Sequence, residues 1–578
     1  MRVIEFMETL DKNILGEFVF DKETAENILE KLKSAESYHD EVLHSSDSAV
    51  CFSLCDEITG NFAEILQLKQ ETKLPENRIF KQAECVIYSL QNVAEDFSKY
   101  SSLEKALYRL EFETFPIIEE TTATFYYFNF AALDKGSEEE FWNPETGKAK
   151  DLYFNRYIAD SIKTGEYKYE LSVLIIAYNK CDMTKGCVES LLKWMPEDLN
   201  YELILCNHGS TDGVKSYFES VRPTKQLDIK INSCSLLQCY LRLVEGKYYL
   251  QVSNDVVFTP NAVENMLRAC KDDPKIGYLV PSTPNVSGYQ ETNIGEYTTI
   301  EELNVLAEKN NVYDPRRHEE RVSLCNPLAL YPTNIYFAPD LLIGGRYYRL
   351  DEHKYAFPDD LTSTLIRRKG YKAVLQKDAY CHHFGSVTLG DEVTDADKDK
   401  SFQKYTLCSK KFKEYYGINP WSIGKAAAPP FFEAMEHVIK LAGIDGHIEI
   451  LGINCGLGSD PLKIKTLYKE IKGNTDVHIT NYTQFPWLLT DLETVSDKAV
   501  YAEDLMTLLK AEKPESYNYV VLEIPANLEY HTKEFIDRCT ELVVYGGVFS
   551  IWCIEDYDIN AENVMNYIEY PFHSMVKK

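Results

Sequence analysis

The feature that most constrains this chain is Leu171 to Gly213, two short apolar runs with an amphipathic segment between them. Leu171 to Ile176 is apolar apart from Ser172, the length and composition of a strand buried in a parallel sheet. Tyr178-Asn179 breaks the run. Thr184 then stands where it can cap a helix whose apolar positions Cys187, Leu191, Leu192 and Met195 recur at helical spacing, and Pro196-Glu197-Asp198 ends that helix. A second apolar run, Leu203 to Cys206, leads into the polar turn Asn207-His208-Gly209-Ser210-Thr211-Asp212-Gly213. Two strands joined by one helix make a right-handed β-α-β unit. Its polar loops lie at the carboxyl ends of both strands, where open α/β sheets bind ligands.

The segments SVLIIAYN and ELILCNHGSTDG resemble the opening of family-2 glycosyltransferases with the GT-A nucleotide-diphosphosugar fold. Gly209, Ser210, Thr211, Asp212 and Gly213 all match the second motif. Asn207 stands where the family has an Asp that accepts from the nucleotide base. An amide oxygen can accept and its NH2 can donate, so the base is open, with a UDP-linked donor as the expectation. The resemblance implies that Ala177, Tyr178, Asn179, Asn207, Gly209, Asp212 and Asn254 lie around the nucleotide.

Three downstream segments extend the resemblance. Gly246 to Val252 reads as a strand ending in Ser253-Asn254-Asp255, similar to the family's metal-binding Asp-x-Asp with Ser253 replacing the first Asp. A helix from Asn261 to Cys270 follows. A hard carboxylate at a strand end suits Mg²⁺ or Mn²⁺ held against a diphosphate, and Asp255 is the residue with that role. Phe357-Pro358-Asp359-Asp360, before a helix through Leu361, Leu365 and Ile366 to Gly370-Tyr371, resembles the family segment whose Asp is the general base in inverting members. Asp359 is the first candidate and Asp360 the second; the alternative for both is capping that helix. His382-His383-Phe384-Gly385 resembles the family's terminal His near metal and diphosphate, with His383 the aligned residue. Arg367 and Arg368 read as helix-face charges, with phosphate contact as the alternative. Tyr336 to Gly345 resembles the family segment leading into the acceptor pocket.

At 578 residues the chain has room for several domains. The reading is an α/β protein in three parts. Residues 1–165 form a mainly helical accessory domain, 166–422 a GT-A glycosyltransferase domain, and 423–578 a Rossmann-like, methyltransferase-type domain. In the first part, Thr24 to Leu32, Ala63 to Leu68, Ile79 to Phe97 and Leu103 to Leu110 carry helical spacing. The acid clusters Glu119-Glu120 and Glu138-Glu139-Glu140 read as solvated faces, or else as a surface that docks an acceptor or partner. In the second part, Leu227 to Ile231 reads as a short strand and Leu236 to Val244 as a helix. Pro281 to Val322 reads as irregular apart from a helix at Ile300 to Glu308. Val374-Leu375 and Ala379-Tyr380-Cys381 bracket a final strand.

Pro429-Pro430 marks a linker before a helix from Phe432 to Leu441. His447 to Gly458 is a strand running into a Gly-rich turn, Val477 to Thr480 and Tyr519 to Ile524 read as strands, and Leu542 to Trp552 contains a Gly-Gly turn. This region resembles class I methyltransferases and implies S-adenosylmethionine as a second cofactor. The Gly-rich turn is longer than usual, and Thr480-Asn481-Tyr482 stands where an acidic residue should hold ribose hydroxyls. These departures weigh toward a degenerate, noncatalytic domain over an active one, with Asp504 left as an adenine-edge candidate.

The formal charge is -30, from 61 basic and 91 acidic residues, which disfavours nucleic acid and anionic membranes as partners. A nucleotide sugar is itself an anion, so a metal or a local positive site must offset that field. No run of 18 apolar residues exists to span a membrane, and Glu5 and Glu8 are unlike a signal peptide. Fifteen scattered Cys without paired CxxC spacing fit reduced thiols in a cytoplasmic protein. The function expected is inverting, metal-dependent transfer of a sugar from a nucleotide diphosphosugar to an acceptor hydroxyl, on flagellin or another bacterial surface protein or glycan. The rivals are a bifunctional glycosyltransferase/methyltransferase and a noncatalytic scaffold built on decayed enzyme folds.

Overall fold

The computed structural model describes residues 20–72, 78–100, 103–110, 114–126, 142–143, 148–149, 165–229, 243–337, 357–385, 409, 412–413, 416–420, 427, 429–441, 446–525, 533–554 and 572–576. The chain divides into two compact units, Met1–Val188 with Leu199–Asn254 and Thr333–Lys354, and Glu189–Asp198 with Asp255–Pro332 and Tyr355–Lys578.

The first unit opens with helices α1 (Lys22–Ser37), α2 (Ser48–Thr72), α3 (Arg78–Tyr100) and α4 (Phe115–Tyr126). Asp21 caps α1 by accepting from the Thr24 N–H at 3.0 Å, and the helix buries Ile28, Leu29 and Leu32 along one stripe. Strands β1 (Tyr169–Ala177), β2 (Tyr201–His208), β3 (Lys225–Ile229) and β4 (Gly246–Ser253) follow, all parallel, in the order β3-β2-β1-β4. Helix α5 (Cys181–Trp194) joins β1 to β2, and α6 (Val214–Val221) joins β2 to β3. The expected β-α-β unit is present, but α5 starts at Cys181, so Thr184 lies inside its first turn instead of capping it. The Thr184 hydroxyl donates back to the Lys180 carbonyl at 3.2 Å. The helical region reaches the sheet edge through Lys215 on α6. Its Nζ lies 2.9 Å from Asn92 Oδ1 on α3 and 2.9 Å from Asp228 Oδ2 on β3.

Among the described residues, the second unit holds strands of two larger sheets and a separate two-stranded ladder. Strands β5 (Val256–Val257), β6 (Ile276–Ser282), β7 (His318–Arg321), β8 (Leu328–Pro332), β9 (Lys372–Tyr380) and β10 (His382–His383) belong to the central region. In the order β8-β6-β9-β7, β9 runs parallel to β6, while β8 and β7 are antiparallel to their neighbours. Helices α7 (Ala262–Asp272), α8 (Ile300–Asn310) and α9 (Pro358–Arg368) accompany them. One expectation needs correction: the stretch read as irregular to Val322 contains the edge strand β7. The bracketed final strand is present as β9, continuous over nine residues through Gln376, Lys377 and Asp378. Its buried Gln376 donates to the Asn265 carbonyl at 3.0 Å, which is why a polar residue sits inside the strand.

The C-terminal sheet has the order β13-β12-β11-β14-β15-β16, with β11 (Ile448–Ile453), β12 (Val477–Thr483), β13 (Lys498–Tyr501), β14 (Tyr517–Pro525) and β15 (Val543–Ile554) parallel and β16 (Phe572–Val576) antiparallel. That is a doubly wound order with an antiparallel edge. Pro429-Pro430 is the first turn of helix α10 (Pro429–Leu441) and not a linker, since proline is well placed where its missing N–H has no helical partner. Helix α11 (Ser459–Lys472) follows the Gly-rich turn, α12 (Leu489–Leu492) and α13 (Leu505–Ala511) flank β13, and α14 (Lys533–Leu542) leads directly into β15. Gly546-Gly547 therefore lies within a strand and makes no helix-to-strand turn. The expected helix at Leu236 to Val244 falls mostly outside the described residues, as do Glu138-Glu139-Glu140 and the acceptor-pocket segment beyond Phe337.

In the second unit the two sheets are joined by buried charge. Glu319 on β7 is 1 % exposed and meets Arg321 at 2.6 Å, Lys463 of α11 at 2.8 Å and Lys377 at 3.5 Å. Burial alone would raise this carboxyl, but Arg321, Lys463 and Lys377 together hold it well below the usual range. Asp491 of α12 forms a second junction, with Arg367 and Arg368 of α9.

Candidate functional site

In the first unit, the loops after β1 and β2 are laced together. The Asn179 N–H donates to Ser210 Oγ at 2.8 Å, and Asn179 Oδ1 accepts from the Thr211 N–H at 2.9 Å. Asp212 Oδ2 accepts from the Cys181 N–H at 2.8 Å, so it satisfies one of the open donors at the start of α5. Asn179 (φ 54°) and Lys180 (φ 59°) are left-handed, which turns the chain sharply out of β1. Asn254, at the end of β4, braces this turn from beneath. Its Nδ2 donates to the Asn179 carbonyl at 3.1 Å and to Thr184 Oγ1 at 2.9 Å. Ala177 is buried and Tyr178 half-buried at the same rim. A hollow of about 340 Å³ opens beside it, lined by Lys180, Cys181, Asp182, Met183, Lys185 and Asp212.

Asn207 sits differently from its expected base-reading position. It is buried, its Oδ1 accepts from the Ser210 N–H at 2.9 Å, and its Nδ2 donates to Asp228 Oδ1. Both ends of the amide thus organise the Gly209–Gly213 turn. Asp228, which the sequence showed only as part of a strand, is the partner that turns Asn207 inward. Burial opposes the charge on Lys215, but its contact with Asp228 more than offsets this and raises the ammonium overall.

In the second unit, β5 and β10 form a two-residue antiparallel ladder, His382 opposite Val257 and His383 opposite Val256. The ladder brings His383 Nε2 to 3.3 Å from Asp255 Oδ2, with both residues largely buried. The Phe384 N–H donates to the Asp255 carbonyl at 3.1 Å and closes the turn. Asn285 (φ 58°) fastens the other side, donating from Nδ2 to the His383 carbonyl at 2.9 Å. His382 faces a different group: Tyr297 Oη lies 2.7 Å from its Nδ1 and 2.9 Å from Tyr380 Oη. Burial, with the neighbouring His383, pushes the His382 imidazole below its usual value.

Asp255 and His383 suit a divalent ion. They supply a hard carboxylate and an imidazole, and the buried His383 Nδ1 has no hydrogen-bond partner. Among the described residues no group of three or more His, Cys, Asp or Glu is arranged to hold a metal. A Mg²⁺ or Mn²⁺ ion there would complete its shell with diphosphate and water oxygens, the usual arrangement for ions bound with a nucleotide.

Asp359 and Asp360 lie in the first turn of α9, which Phe357 enters at φ 62° ahead of Pro358. The N-cap position itself is Phe357, whose side chain makes no cap bond. Asp359 Oδ2 accepts from the Asn326 N–H at 3.3 Å, and Asp360 Oδ1 accepts from Ser323 Oγ at 2.7 Å. Both therefore face the 322–326 segment. Burial, with Asp359 beside it, pushes the Cys325 thiol up to about 12. Gln290 grips the Cys325 backbone at both ends, donating to its carbonyl and accepting from its N–H at 2.7 Å each. Arg367 and Arg368 are not phosphate ligands in this arrangement, because both bind Asp491.

At the carboxyl rim of the C-terminal sheet, the residues present do not fit S-adenosylmethionine. Strand β12 runs on to Thr483, so Asn481 lies inside it and not at its end, against Gly452, where it donates to Ser496 Oγ at 2.7 Å; neither it, Thr483 nor the following Gln484 offers a carboxylate to a ribose. Val495 and Leu492 pack over Gly458. Asp504, the adenine-edge candidate, is the N-cap of α13 and accepts from the Met506 N–H at 3.0 Å.

Residues 172–316 match the family model for Glycosyl transferase family 2. The chain thus carries a family 2 glycosyltransferase domain, built on an α/β fold. It is similar to the UDP-Glc:alpha-D-GlcNAc-diphosphoundecaprenol beta-1,3-glucosyltransferase WfaP of Escherichia coli, 27% identical over 101 residues. That alignment spans 17% of this chain and 39% of the relative, well under half of its length. Similar solved structures include GalNAc-T7 with UDP, GalNAc and Mn²⁺ (12% identity, 43% of this chain and 49% of that one, TM-score 0.30). Another is the mannosyltransferase PcManGT from Pyrobaculum calidifontis with GDP-Man and Mn²⁺ (16% identity, 56% and 81%, TM-score 0.29).

Proposed function

We propose that this protein is an inverting glycosyltransferase that moves a sugar from a UDP-linked donor to an acceptor hydroxyl. The observation that carries the reading is the Asp255–His383 pair, 3.3 Å apart, whose carboxylate lies inside the family-matched segment. The loop residues Tyr178, Asn179, Gly209 and Asp212 would line the nucleotide, with Asn207 and Asn254 setting their shape from within. Asp255 and His383 would hold a divalent ion, which supplies Lewis-acid neutralisation of the diphosphate. Asp359 would accept the proton of the acceptor hydroxyl as its oxygen attacks the anomeric carbon. The new C–O bond forms as the bond to the diphosphate oxygen breaks. The electron pair leaves with UDP, and a single displacement inverts the configuration. Asp360, already bonded to Ser323, is the weaker base candidate.

For the acceptor we infer a protein or glycan of the bacterial surface, flagellin among them, by analogy with chains that join these two domain types. For the C-terminal sheet we infer a noncatalytic role, because Asn481 and Asp504 are committed to internal bonds. Calorimetric titration with S-adenosylmethionine should give no heat, and measurable binding would revive the bifunctional reading. The main test is UDP, GDP or dTDP release from a panel of nucleotide sugars with Mn²⁺. Turnover is expected with a UDP-sugar and is expected to disappear in Asp255→Ala and Asp359→Asn variants that keep their fold. No release from any donor would refute the proposal.

A further inference from the structure

Helix α9 begins with the candidate base and ends on a buried carboxylate from the C-terminal sheet region. Asp491 is fully buried. Its Oδ1 accepts from Arg367 Nη2 at 3.1 Å and its Oδ2 from Arg368 Nη2 at 2.6 Å. Arg367 spends its remaining donors around it, on Thr494 Oγ1 at 2.5 Å, the Asp491 carbonyl at 3.4 Å and the Val322 carbonyl at 2.9 Å. Arg368 also donates to the Tyr416 carbonyl at 2.6 Å. The two cations sit in the last turn of α9, where the helix dipole favours them.

The bond from Arg367 to Val322 gives the clamp a functional direction. Val322 immediately precedes the segment that Asp359 and Asp360 hold through Asn326 and Ser323, and Ser363 Oγ accepts from the Leu324 N–H at 3.2 Å. The 322–326 segment is thus stitched to α9 along the length of the helix, and Asp491 fixes the far end of the same assembly. A helix-to-helix contact needed only for stability is served as well by apolar groups, since burying charges is costly. Buried pairs of fixed geometry instead select one axial register, and a helix rises by about 1.5 Å per residue, so a small slip displaces every side chain on it.

We propose that Asp491 is a positioning residue for Asp359: the C-terminal region sets the register of α9, and through it the placement of the base, without touching the reactants. The proposal rests on the glycosyltransferase reading and assigns the C-terminal sheet a part in sugar transfer that needs no ligand of its own.

The test uses the full chain with Mn²⁺ and whichever of UDP-glucose and UDP-N-acetylglucosamine the wild type hydrolyses, a reaction in which Asp359 would act on water. Asp491→Asn leaves the buried Arg367 and the half-buried Arg368 without a carboxylate and is liable to unfold. Two further variants keep the test open: Arg367→Met/Asp491→Leu, which replaces the pair by apolar groups, and Thr494→Val, which removes one acceptor. In the double variant kcat is expected to fall about 10- to 100-fold, the scale of roughly 1 Å of misplacement, with the donor KM within about twofold of wild type. Thr494→Val should lower kcat by a smaller factor in the same pattern. A role in stability alone would leave kcat per folded molecule unchanged. Unchanged kcat in Thr494→Val and in a folded double variant would overturn the proposal, and so would an equal loss in kcat and donor affinity. Should the double variant not fold, Thr494→Val decides alone. A wild type that hydrolyses no nucleotide sugar refutes the glycosyltransferase reading instead.

Discussion

Gly385 and Gly370 offer a matched pair of substitutions. Both adopt φ 82°, and an added Cβ at Gly370 would meet nothing within 4 Å. At Gly385 the same atom would lie 2.7 Å from Asn285 Cβ and 3.5 Å from the Asn285 carbonyl oxygen. Placing Ala in the left-handed region costs about 1–2 kcal/mol at either site. Carbon contacts relax only near 3.5–4.0 Å, so roughly 1 Å of movement is required at Gly385. Asn285 cannot yield freely, because it is itself left-handed and its amide holds the His383 carbonyl. Overpacking of this kind costs about 1–3 kcal/mol, and loss of that hydrogen bond about 1 more. Gly385→Ala should therefore destabilise by about 2–4 kcal/mol more than Gly370→Ala in equilibrium urea unfolding. It should also weaken Mn²⁺-dependent UDP binding, since the displaced ladder carries His383, while Gly370→Ala leaves binding alone. Adding Asn285→Gly should recover the packing part of the loss. Equal losses in the two alanine variants, or no recovery, would refute the reasoning.

Two further outcomes follow from buried carboxyls. Glu319→Gln should destabilise by about 3–5 kcal/mol near neutral pH, because it leaves three cations around a neutral side chain. The folded carboxyl of Glu319 is held below its ordinary value, so its stabilisation is complete above about pH 4.5 and fades on acidification; urea midpoints measured across pH should show this decline in wild type and a shallower one in the variant. Asp460 behaves oppositely: burial pushes it up to about 7, so the fold prefers its neutral form and loses stability as pH rises from about 4 to about 7. Asp460→Asn should be more stable than wild type near pH 8 and indistinguishable from it near pH 4, and a loss of stability at pH 8 would contradict this.

What the sequence made legible follows its local physics. The runs Leu171–Ile176, Leu203–Cys206 and Tyr519–Ile524 announced buried strands because parallel strands covered on both faces are apolar throughout. His318-Glu319-Glu320-Arg321 announced nothing, because the charges of β7 are matched by Lys463 and Lys377, far away in the chain. Pro429-Pro430 suggested a linker because proline marks breaks and helix starts alike. At the site, Asp255 and His383 were paired from motif order, and a two-residue ladder brings them together. The inward turn of Asn207 was not legible, since it depends on Asp228 one strand away. The commitment of Arg367 and Arg368 to Asp491 likewise needed the fold, since no short-range pattern links residues so far apart.

The most direct test of the central claim is calorimetric titration of UDP into the wild-type protein with and without Mn²⁺, repeated with Asp255→Asn and His383→Ala. Mn²⁺ should strengthen UDP binding at least about tenfold in wild type, a difference of about 1.4 kcal/mol, and in neither variant. UDP binding that ignores Mn²⁺, or that survives both substitutions intact, would contradict the assignment of this pair to the metal and diphosphate.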